Sequence, residues 1–490
     1  MPATSVHAKT LKPSFCYIIY IVKQFFLAIT ALFKYLSRYN FDFLFYFAAF
    51  TLPFENLFFA PSTGWATITP LILFLYAILN LYHLQLFSRK LLPIFYFFLG
   101  FGLLGTLTTI IFHGRLDDYL AALVPIVLGL SCLFGLLAFY AKNQTLGFKR
   151  KLNLLVSIII ISYLLAVLVG LLEFFALKYQ LSPISGFFNL LFKRNYLVKS
   201  RIQFFFTEPS FIGMHLFGIL LPLFWLSRRT DLLFLLVLFI YSAIFFGAGV
   251  RIILDLLIII LLLSFYYLKK SKQKLFLPLF AVSFLILITS FSQINGRFHK
   301  IFFGFIGQQP DLSIDCDLPE NATHEECLAF ARQSGINSDG SFASRVFRIQ
   351  SSLFGYSKSP FGFLTGYGLG NAIYPVRLGH ATAKKSYKSS YLKEVNDLID
   401  PNYHDDSVSY CLYTRIISEF GIFALLFGLF YLLRLAQKSS LDYKYFYLLI
   451  ILYLYLQFES LSFYALWLYI AVMLINQLAP NLDRKPKTHA

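Results

Sequence analysis

Charged side chains are scarce in this sequence, since Asp, Glu, Lys and Arg together make up 13% of its 490 residues. Soluble domains carry roughly 25% charged residues, so this composition excludes an ordinary soluble protein. Hydrophobic residues make up 58% of the chain. Such a composition is typical of a protein with several membrane spans.

Acidic residues are the scarcer charge, with 24 Asp and Glu against 42 Lys and Arg. In a soluble protein the net charge of +18 would suggest a nucleic-acid partner. Most of the basic residues lie in short loops, however, and no aromatic and basic platform of the usual nucleic-acid-binding kind is visible. We therefore expect no nucleic-acid partner, and we interpret the charge as a signal of membrane topology.

Cysteine is rare as well, with five in the chain. Cys16, Cys132 and Cys411 lie within or beside apolar runs, where we expect unpaired thiols that pack as small hydrophobic groups. Cys316 and Cys327 lie in a polar stretch, and they can close a short disulfide loop if that stretch faces an oxidising compartment.

Two features of other membrane proteins are missing from the sequence. There is no internal repeat of the kind that marks many secondary transporters. No small-residue cleavage site follows the first apolar run, so we expect no cleavable signal peptide.

Twelve apolar runs have about the length that a transmembrane helix needs, which is roughly 17 to 25 residues. An earlier run, 14–36, has Lys23 and Gln24 at its centre, where they would be costly in hydrocarbon. We favour an interfacial helix on the cytoplasmic surface for 14–36, with a further span as the alternative. The predicted spans are 41–60, 66–82, 91–111, 119–140, 152–177, 208–226, 231–249, 251–268, 275–294, 407–434, 443–458 and 462–478.

The loops between these spans alternate in charge, and the basic side is assigned to the cytoplasm by the positive-inside rule. Both termini are then cytoplasmic. The outward loop 179–206 breaks the pattern with Lys193, Arg194, Lys199 and Arg201, which indicates that it attracts something anionic. The basic loops carry Lys34, Arg38, Arg89, Lys90, Lys142, Lys149, Arg150, Lys151, Arg228, Arg229, Lys269, Lys270, Lys272, Lys274, Arg434, Lys438, Lys444, Arg484, Lys485 and Lys487.

The predicted fold is an all-α polytopic membrane protein with about twelve transmembrane helices and one large outward loop that contains helices. This polar loop must lie outside the bilayer, because irregular backbone cannot leave its hydrogen-bonding groups unpaired in lipid. We predict that it caps an active site. The segments are an N-terminal cytoplasmic segment with the interfacial helix (1–40), spans one to nine (41–294), the large loop (295–405), spans ten to twelve (406–478) and a cytoplasmic tail (479–490).

Short polar motifs recur at the predicted outward ends of the spans and in the large loop. Because all of them fall on one side of the membrane, we expect them to share a cleft. Before the sixth span lie Arg201, Glu208 and Pro209, and the next outward turn carries Gly249 and Arg251. In the large loop, Arg345 and Arg348 share one face of a helical stretch, and the flexible loop after it, which is able to approach a ligand, contains Gly362, Gly366, Gly368 and Gly370. Before the next span lie His404, Asp405 and Asp406, and within that span Arg415 and Glu419 stand at helical spacing.

Each motif also has a purely structural explanation. Glu208 can favour a helix N-terminus, and Arg251 can extend its charge to the membrane interface. Arg345 and Arg348 can form a solvated face. The remaining structural explanations are a helix cap for His404, Asp405 and Asp406, a plain loop for the glycines, and a local ion pair for Arg415 and Glu419.

Several arginines beside an outward cleft suit a phosphate or a diphosphate, because guanidinium groups form bidentate charge-assisted hydrogen bonds with it. A nearby histidine or glutamate can accept the proton of a hydroxyl nucleophile. Fixed positive charge can stabilise a developing diphosphate by several kcal/mol, compared with roughly 2.7–4 kcal/mol for one oxyanion-hole donor. A diphosphate leaving group outside the cell implies a polyprenyl-diphosphate sugar donor, and arginines remove the need for a metal or another cofactor.

The motifs resemble those of the bacterial O-antigen polymerase and O-antigen ligase superfamily, which are membrane glycosyltransferases of the GT-C type. The twelve spans with one large loop late in the chain extend this resemblance over nearly the whole sequence. Asp405 stands where the family usually has Asn. The matching stretches are Arg201, Phe206-Thr-Glu208-Pro209-Ser210, Gly249-Val250-Arg251, Ser344-Arg345, Pro360, Gly366-Tyr-Gly368-Leu-Gly370, His404-Asp405 and Ser418-Glu419-Phe420-Gly421-Ile422.

The resemblance implies a donor glycan on undecaprenyl diphosphate, and in-line attack that inverts the anomeric carbon without a metal or cofactor. It also implies a site that faces the periplasm from the bacterial inner membrane. The implied partners are the lipid-linked glycan, the bilayer, and as candidates a chain-length regulator and a flippase. The implied site residues are Arg201, Arg251, Arg345 and Arg348 for the diphosphate, His404 or Glu208 for the acceptor hydroxyl, and Asp405 and Arg415 for further substrate contacts.

Within this superfamily we favour a polymerase of O-antigen or capsule-like repeat units, because Phe206-Thr-Glu208-Pro209-Ser210 resembles polymerases more than ligases. A ligase that transfers the glycan to lipid A core shares the same layout. A transporter or flippase of lipid-linked glycan is a third hypothesis, for which Glu55, Glu173 and Asp255 are candidate intramembrane acids. A purely structural role in a synthesis complex is the last.

Overall fold

The computed structural model describes residues 39–55, 67–144, 148–191, 202–206, 211–246, 250–270, 340–387 and 411–478, together with Gln24, Ala31, Lys34 and Tyr35. Throughout these residues the regular structure is helical, and no β-strand is present among them. The predicted all-α class is therefore confirmed for the described part of the chain. Cys132 and Cys411 are buried free thiols, as predicted, whereas Cys16, Cys316 and Cys327 lie outside the described residues.

Nine helices precede the large loop in the described residues. The third follows directly on a 3₁₀ turn, Leu81–Phe87. The seventh contains a π turn at Leu216–Leu220. Their bounds are α1 Asp42–Thr51, α2 Thr69–Leu79, α3 Ser88–Ile111, α4 Leu116–Asn143, α5 Phe148–Lys178, α6 Ser182–Leu191, α7 Phe211–Ser227, α8 Thr230–Phe245 and α9 Val250–Lys270.

Seven further helices follow among the described residues, and the first three confirm that the large polar loop contains helices. They are α10 Gly340–Lys358, α11 Pro360–Thr365, α12 Ile373–Tyr387, α13 Leu412–Phe420, α14 Ile422–Lys438, α15 Lys444–Leu454 and α16 Tyr464–Asn476.

Three stretches are long and apolar enough to cross a membrane: Leu81–Ile111, Leu116–Asn143 and Phe148–Lys178. Six shorter apolar helices of 10–17 residues accompany them, namely α1, α2, α7, α8, α15 and α16. The described part of the chain is thus helical, with three candidate membrane-spanning helices. A helix occurs in each predicted span that the structure describes, while the ninth predicted span, 275–294, lies outside the described residues, as does most of 14–36.

The predicted span 407–434 is two helices, because the chain breaks between α13 and α14 at Gly421. Gly421 has φ 85°, a region that favours glycine. A Cβ at this position would lie 2.1 Å from the carbonyl oxygen of Leu364 in α11. The break therefore lets a segment of the large loop pack directly against the backbone of the helix pair.

The main apolar core joins residues of α1 to α5, α7 to α9 and α13 to α16. Close approach of α4 to α16 depends on Gly129, where a Cβ would lie 2.2 Å from the indole nitrogen of Trp467. Close approach of α7 to α16 depends on Gly218, where a Cβ would lie 2.7 Å from that of Ala465. These contacts make α16 a central helix of the bundle.

A buried carboxylate ties the first helices together at one end. Asp42 of α1 pairs with Lys142 of α4 at 3.1 Å and with Lys151 of α5 at 2.7 Å. The hydroxyl of Tyr76 in α2 donates to the same carboxylate at 3.2 Å. Two cations and a hydroxyl compensate the cost of burying this charge. This end coincides with the loops that the sequence assigns to the cytoplasm.

Candidate functional site

Helices α10 and α12 of the large loop form a tight antiparallel hairpin. A Cβ at Gly355 would lie 2.0 Å from the carbonyl oxygen of Pro375, and one at Gly379 would lie 1.9 Å from that of Ser351. These two contacts fix the register, because residue 355 faces 375 and residue 351 faces 379. The start of α10 therefore lies beside the end of α12.

This hairpin is strongly basic, since the two helices carry Lys and Arg residues but no Asp or Glu. The register places Arg345 and Arg348 at the same end as Lys384 and Lys385. Such an end suits an anion, because several cations share one small surface. The basic residues of the hairpin are Arg345, Arg348, Lys358, Arg377, Lys384 and Lys385.

Arg345 and Arg348 do not share the same surroundings. Arg348 is 0% exposed, whereas Arg345 is partly exposed. The solvated-face explanation is therefore wrong for Arg348. A buried guanidinium is costly unless polar groups surround it, and Ser351 and Ser352 on the following turn are also fully buried. In this structure Arg345 is the better placed of the two arginines to meet a ligand.

The hairpin is attached to α13 through Tyr356. Its hydroxyl donates to the carbonyl oxygen of Thr414 at 3.1 Å and lies 2.8 Å from the hydroxyl of Ser418. Burial raises the pKa of Tyr356 above its ordinary value, so this hydroxyl stays protonated and able to donate. The amide of Tyr367 adds a bond of 2.7 Å to the carbonyl oxygen of Ser418. The basic hairpin is thus held in a fixed place beside Arg415.

The glycine loop that follows α11 is packed against protein rather than open to a ligand. Gly366, Gly368 and Gly370 have φ values of 86°, 106° and 78°, which favour glycine. A Cβ at Gly368 would lie 2.3 Å from the hydroxyl oxygen of Thr109 in α3, and one at Gly370 equally close to the carbonyl oxygen of Asp118 in α4. The flexible ligand-binding loop expected from the sequence is a packing element between α3, α4 and α13.

Arg415 forms the ion pair that its helical spacing to Glu419 predicted. Its Nε lies 3.2 Å from Oε1 of Glu419, and the carboxylate also accepts a hydrogen bond from the backbone of Gly370. The Glu419 side chain is 4% exposed and that of Arg415 is 16% exposed. Arg415 is therefore held at the junction of α13 and the glycine loop with a small part of its surface accessible.

Four predicted site residues, Arg201, Glu208, His404 and Asp405, lie outside the described residues, and the side chain of Arg251 is not described either. Their flanking segments are described, however, and these make direct contacts with one another. After Arg201, the amide of Ile202 donates to the carbonyl oxygen of Phe246 at 3.1 Å. Phe246 directly follows α8 and lies five residues before Arg251.

The start of α7, three residues after Glu208, contacts the loop after α15 and the first turns of α9. The Phe211 ring packs on Phe458 at 5.1 Å. A Cβ at Gly213 would lie 2.2 Å from Oδ2 of Asp255, which is one turn after Arg251 on α9. The helix that follows Glu208 and the helix that carries Arg251 are thus in direct contact.

The end of α15 and the loop after it complete this cluster of contacts. The hydroxyl of Tyr453 donates to Asp255 at 2.6 Å, and the amide of Gln457 donates to it at 3.0 Å. The amide of Leu412, at the start of α13, donates to the carbonyl oxygens of Tyr455 and Phe458. The start of α7, the first turns of α9 and the loop after α15 therefore meet beside the start of α13. The flank of Arg201 contacts the residue that follows α8.

Sequence reasoning missed a buried group beside this cluster. Nε2 of His215 in α7 lies 3.0 Å from Oε1 of Glu55, and the hydroxyl of Tyr163 in α5 lies 2.7 Å from Nδ1 of His215. The sequence pointed to Glu55 only as a candidate intramembrane acid. A single histidine inside an apolar run was the available signal, because polar residues inside a membrane segment usually have a partner.

Comparisons with protein-family models, with curated proteins and with solved structures find no match to this chain. What the protein does is therefore inferred from its own residues and their contacts.

Proposed function

We propose that this protein is a membrane glycosyltransferase of the O-antigen polymerase and ligase superfamily. It polymerises surface-polysaccharide repeat units, which it transfers from undecaprenyl diphosphate to another lipid-linked unit. The observation that carries the proposal is a set of contacts between segments that adjoin predicted site residues. Ile202, next to Arg201, contacts Phe246 after α8, and the start of α7, after Glu208, contacts α9, which carries Arg251. In this proposal twelve spans of a GT-C-like fold present the joined ends to the periplasm, and both termini lie in the cytoplasm.

The basic end of the α10–α12 hairpin supports an anionic donor. Arg345, Lys384 and Lys385 lie at this end of a hairpin whose two helices carry no acidic residue. Guanidinium groups bind phosphate oxygens in pairs, and lysines add positive charge. With Arg201 and Arg251, this end would hold the diphosphate of the donor.

The proposed reaction requires one base and a stabilised leaving group. The acceptor oxygen forms a bond with the anomeric carbon of the donor glycan, and the bond between that carbon and the diphosphate breaks. His404 or Glu208 takes the proton of the acceptor hydroxyl, and the arginines stabilise the charge that develops on the diphosphate. Attack in line with the leaving group inverts the anomeric carbon.

An apolar groove supports a donor that is attached to a lipid. It lies between α3 and helices α13 to α16, and almost all of its lining atoms are apolar. One part of it is formed by Leu412, Tyr413 and Ile416 of α13, the helix that carries Arg415. The groove extends along α14 past Gly428 to Leu432, about 16 Å from the break at Gly421, given a rise of roughly 1.5 Å per residue. A hydrocarbon chain in this groove would bring its head group towards Arg415.

The test is incubation of the purified protein in detergent with an undecaprenyl-diphosphate repeat unit and no added metal. We expect a ladder of longer lipid-linked glycans. Variants His404→Ala and Glu208→Gln, assayed in parallel, identify the base by the loss of that ladder. Transfer only after lipid A core is added would establish the ligase instead. No transfer, with movement of the donor across a vesicle membrane, would establish a transporter and overturn the proposal.

A further inference from the structure

Glu55, His215 and Tyr163 form a hydrogen-bonded chain that links three separate parts of the bundle. Glu55 lies after α1, His215 lies on α7 and Tyr163 lies on α5. His215 and Tyr163 are 0% exposed and Glu55 is 4% exposed. Burial to this degree excludes direct contact of His215 or Tyr163 with a glycan, so their effect on a reaction must pass through other groups.

The surroundings of this chain decide how its protons are arranged. The ring of His215 packs against Phe206 at 4.3 Å and Phe463 at 5.2 Å. A carboxylate only accepts hydrogen bonds, so we assign the proton of His215 to Nε2, which donates to Glu55. Nδ1 then accepts from the hydroxyl of Tyr163. Each link in the chain fixes the orientation of the next.

The hydrogen-bonded chain contacts the described segments before and after residues 207–210. Before them, the backbone amide of Glu55 donates to the carbonyl oxygen of Phe205 at 3.2 Å. After them, His215 lies on the first turns of α7, which begins three residues after Glu208. A π turn starts directly after His215, and such turns occur frequently at functional sites.

We propose that Glu55, His215 and Tyr163 are positioning residues, which hold 202–206 and the start of α7, the two described segments that adjoin Arg201 and Glu208, so that these two residues act on the donor and the acceptor. This inference rests on the proposed glycosyl transfer. It adds three residues that touch neither substrate and act through the backbone of Phe205 and the start of α7.

The conservative variants Tyr163→Phe and Glu55→Gln test this role, because one removes a single hydroxyl and the other a single charge. We expect kcat per folded protein to fall about ten- to a hundredfold, since a displacement of about 1 Å can cost roughly a hundredfold. The KM for the donor and the melting temperature should change little. Tyr447→Phe is the matched control, because Tyr447 is also 0% exposed and its hydroxyl has no hydrogen-bond partner in the described part of the chain.

A second measurement reports the position of residue 201 and does not depend on enzyme activity. Arg201→Cys is introduced after the five native cysteines are replaced by alanine, and its reaction rate with a maleimide is measured with and without Tyr163→Phe. We expect Tyr163→Phe to change this rate and Tyr447→Phe to leave it unchanged. Equal rates, or a wild-type kcat in Tyr163→Phe, would overturn the inference. If the wild type shows no glycosyl transfer but the labelling rate of Arg201→Cys still changes with Tyr163→Phe, the proposed function is refuted and the positioning role of Tyr163 remains.

Discussion

Arg345 and Arg348 lie three residues apart on α10, yet only Arg345 keeps part of its side chain exposed. A ligand that approaches the outside of the hairpin meets Arg345 first. We predict that Arg345→Ala lowers kcat/KM for the lipid-linked donor about ten- to a hundredfold, because a hydrogen bond to a charged group contributes roughly 1.5–3 kcal/mol. Initial rates at varied donor concentration measure this change.

Lys358→Ala is the matched control for that variant. Lys358 is an exposed cation on the same helix, and its Nζ donates to the carbonyl oxygen of Leu378 at 3.0 Å, away from the basic end of the hairpin. The two variants remove the same charge from one helix. A similar loss of kcat/KM in both would show that only the overall charge matters, and it would remove Arg345 from the diphosphate site.

At the scale of single helices, hydropathy located the apolar helices well, because burial in lipid or in the core imposes long apolar runs. It could not locate the break at Gly421. The motif Ser418-Glu419-Phe420-Gly421-Ile422 was visible in the sequence, but the break depends on Leu364, which packs against Gly421 from 57 positions earlier in the chain. The burial of Arg348 was hidden for a similar reason, since it follows from a register that Gly355 and Gly379 set between two helices.

The apolar groove yields a prediction at the same scale. Gly428 lines the groove, and a Cβ built there meets no atom within 4 Å. We predict that Gly428→Leu places its side chain in the groove and raises the KM for a donor with a full-length undecaprenyl chain at least threefold. Stability should not fall, because leucine favours a helix more than glycine by somewhat under 1 kcal/mol.

Gly100→Leu on α3 provides the comparison for Gly428→Leu. A Cβ built at Gly100 also meets no atom within 4 Å, but Gly100 is exposed and does not line the groove. A rise in KM for Gly428→Leu alone would support the groove as the site of the lipid chain. An unchanged KM in both variants, or the same rise in both, would contradict that role.

Across the whole molecule, the sequence could indicate which residues carry chemistry at the ends of spans, but not which of those ends meet. Glu55 and His215 are 160 positions apart, and Asp255 and Gln457 are 202 positions apart. No local spacing relates such residues, so only the packing of the bundle brings them together. The motifs that were visible are short and local, whereas the groups that hold them in place are distant in the chain.

The orientation of the protein in the membrane is also a property of the whole molecule, and it can be predicted. If the basic hairpin faces the periplasm, the end of the bundle that holds Asp42, Lys142 and Lys151 faces the cytoplasm. We predict that Lys358→Cys reacts with a membrane-impermeant maleimide once the outer membrane is made permeable, whereas Arg150→Cys reacts only after the inner membrane is opened. Both positions are exposed, and the five native cysteines are first replaced by alanine. Labelling of Arg150→Cys before the inner membrane is opened would reverse the orientation. The proposed diphosphate site would then lie in the cytoplasm, where a periplasmic polymerase could not use it.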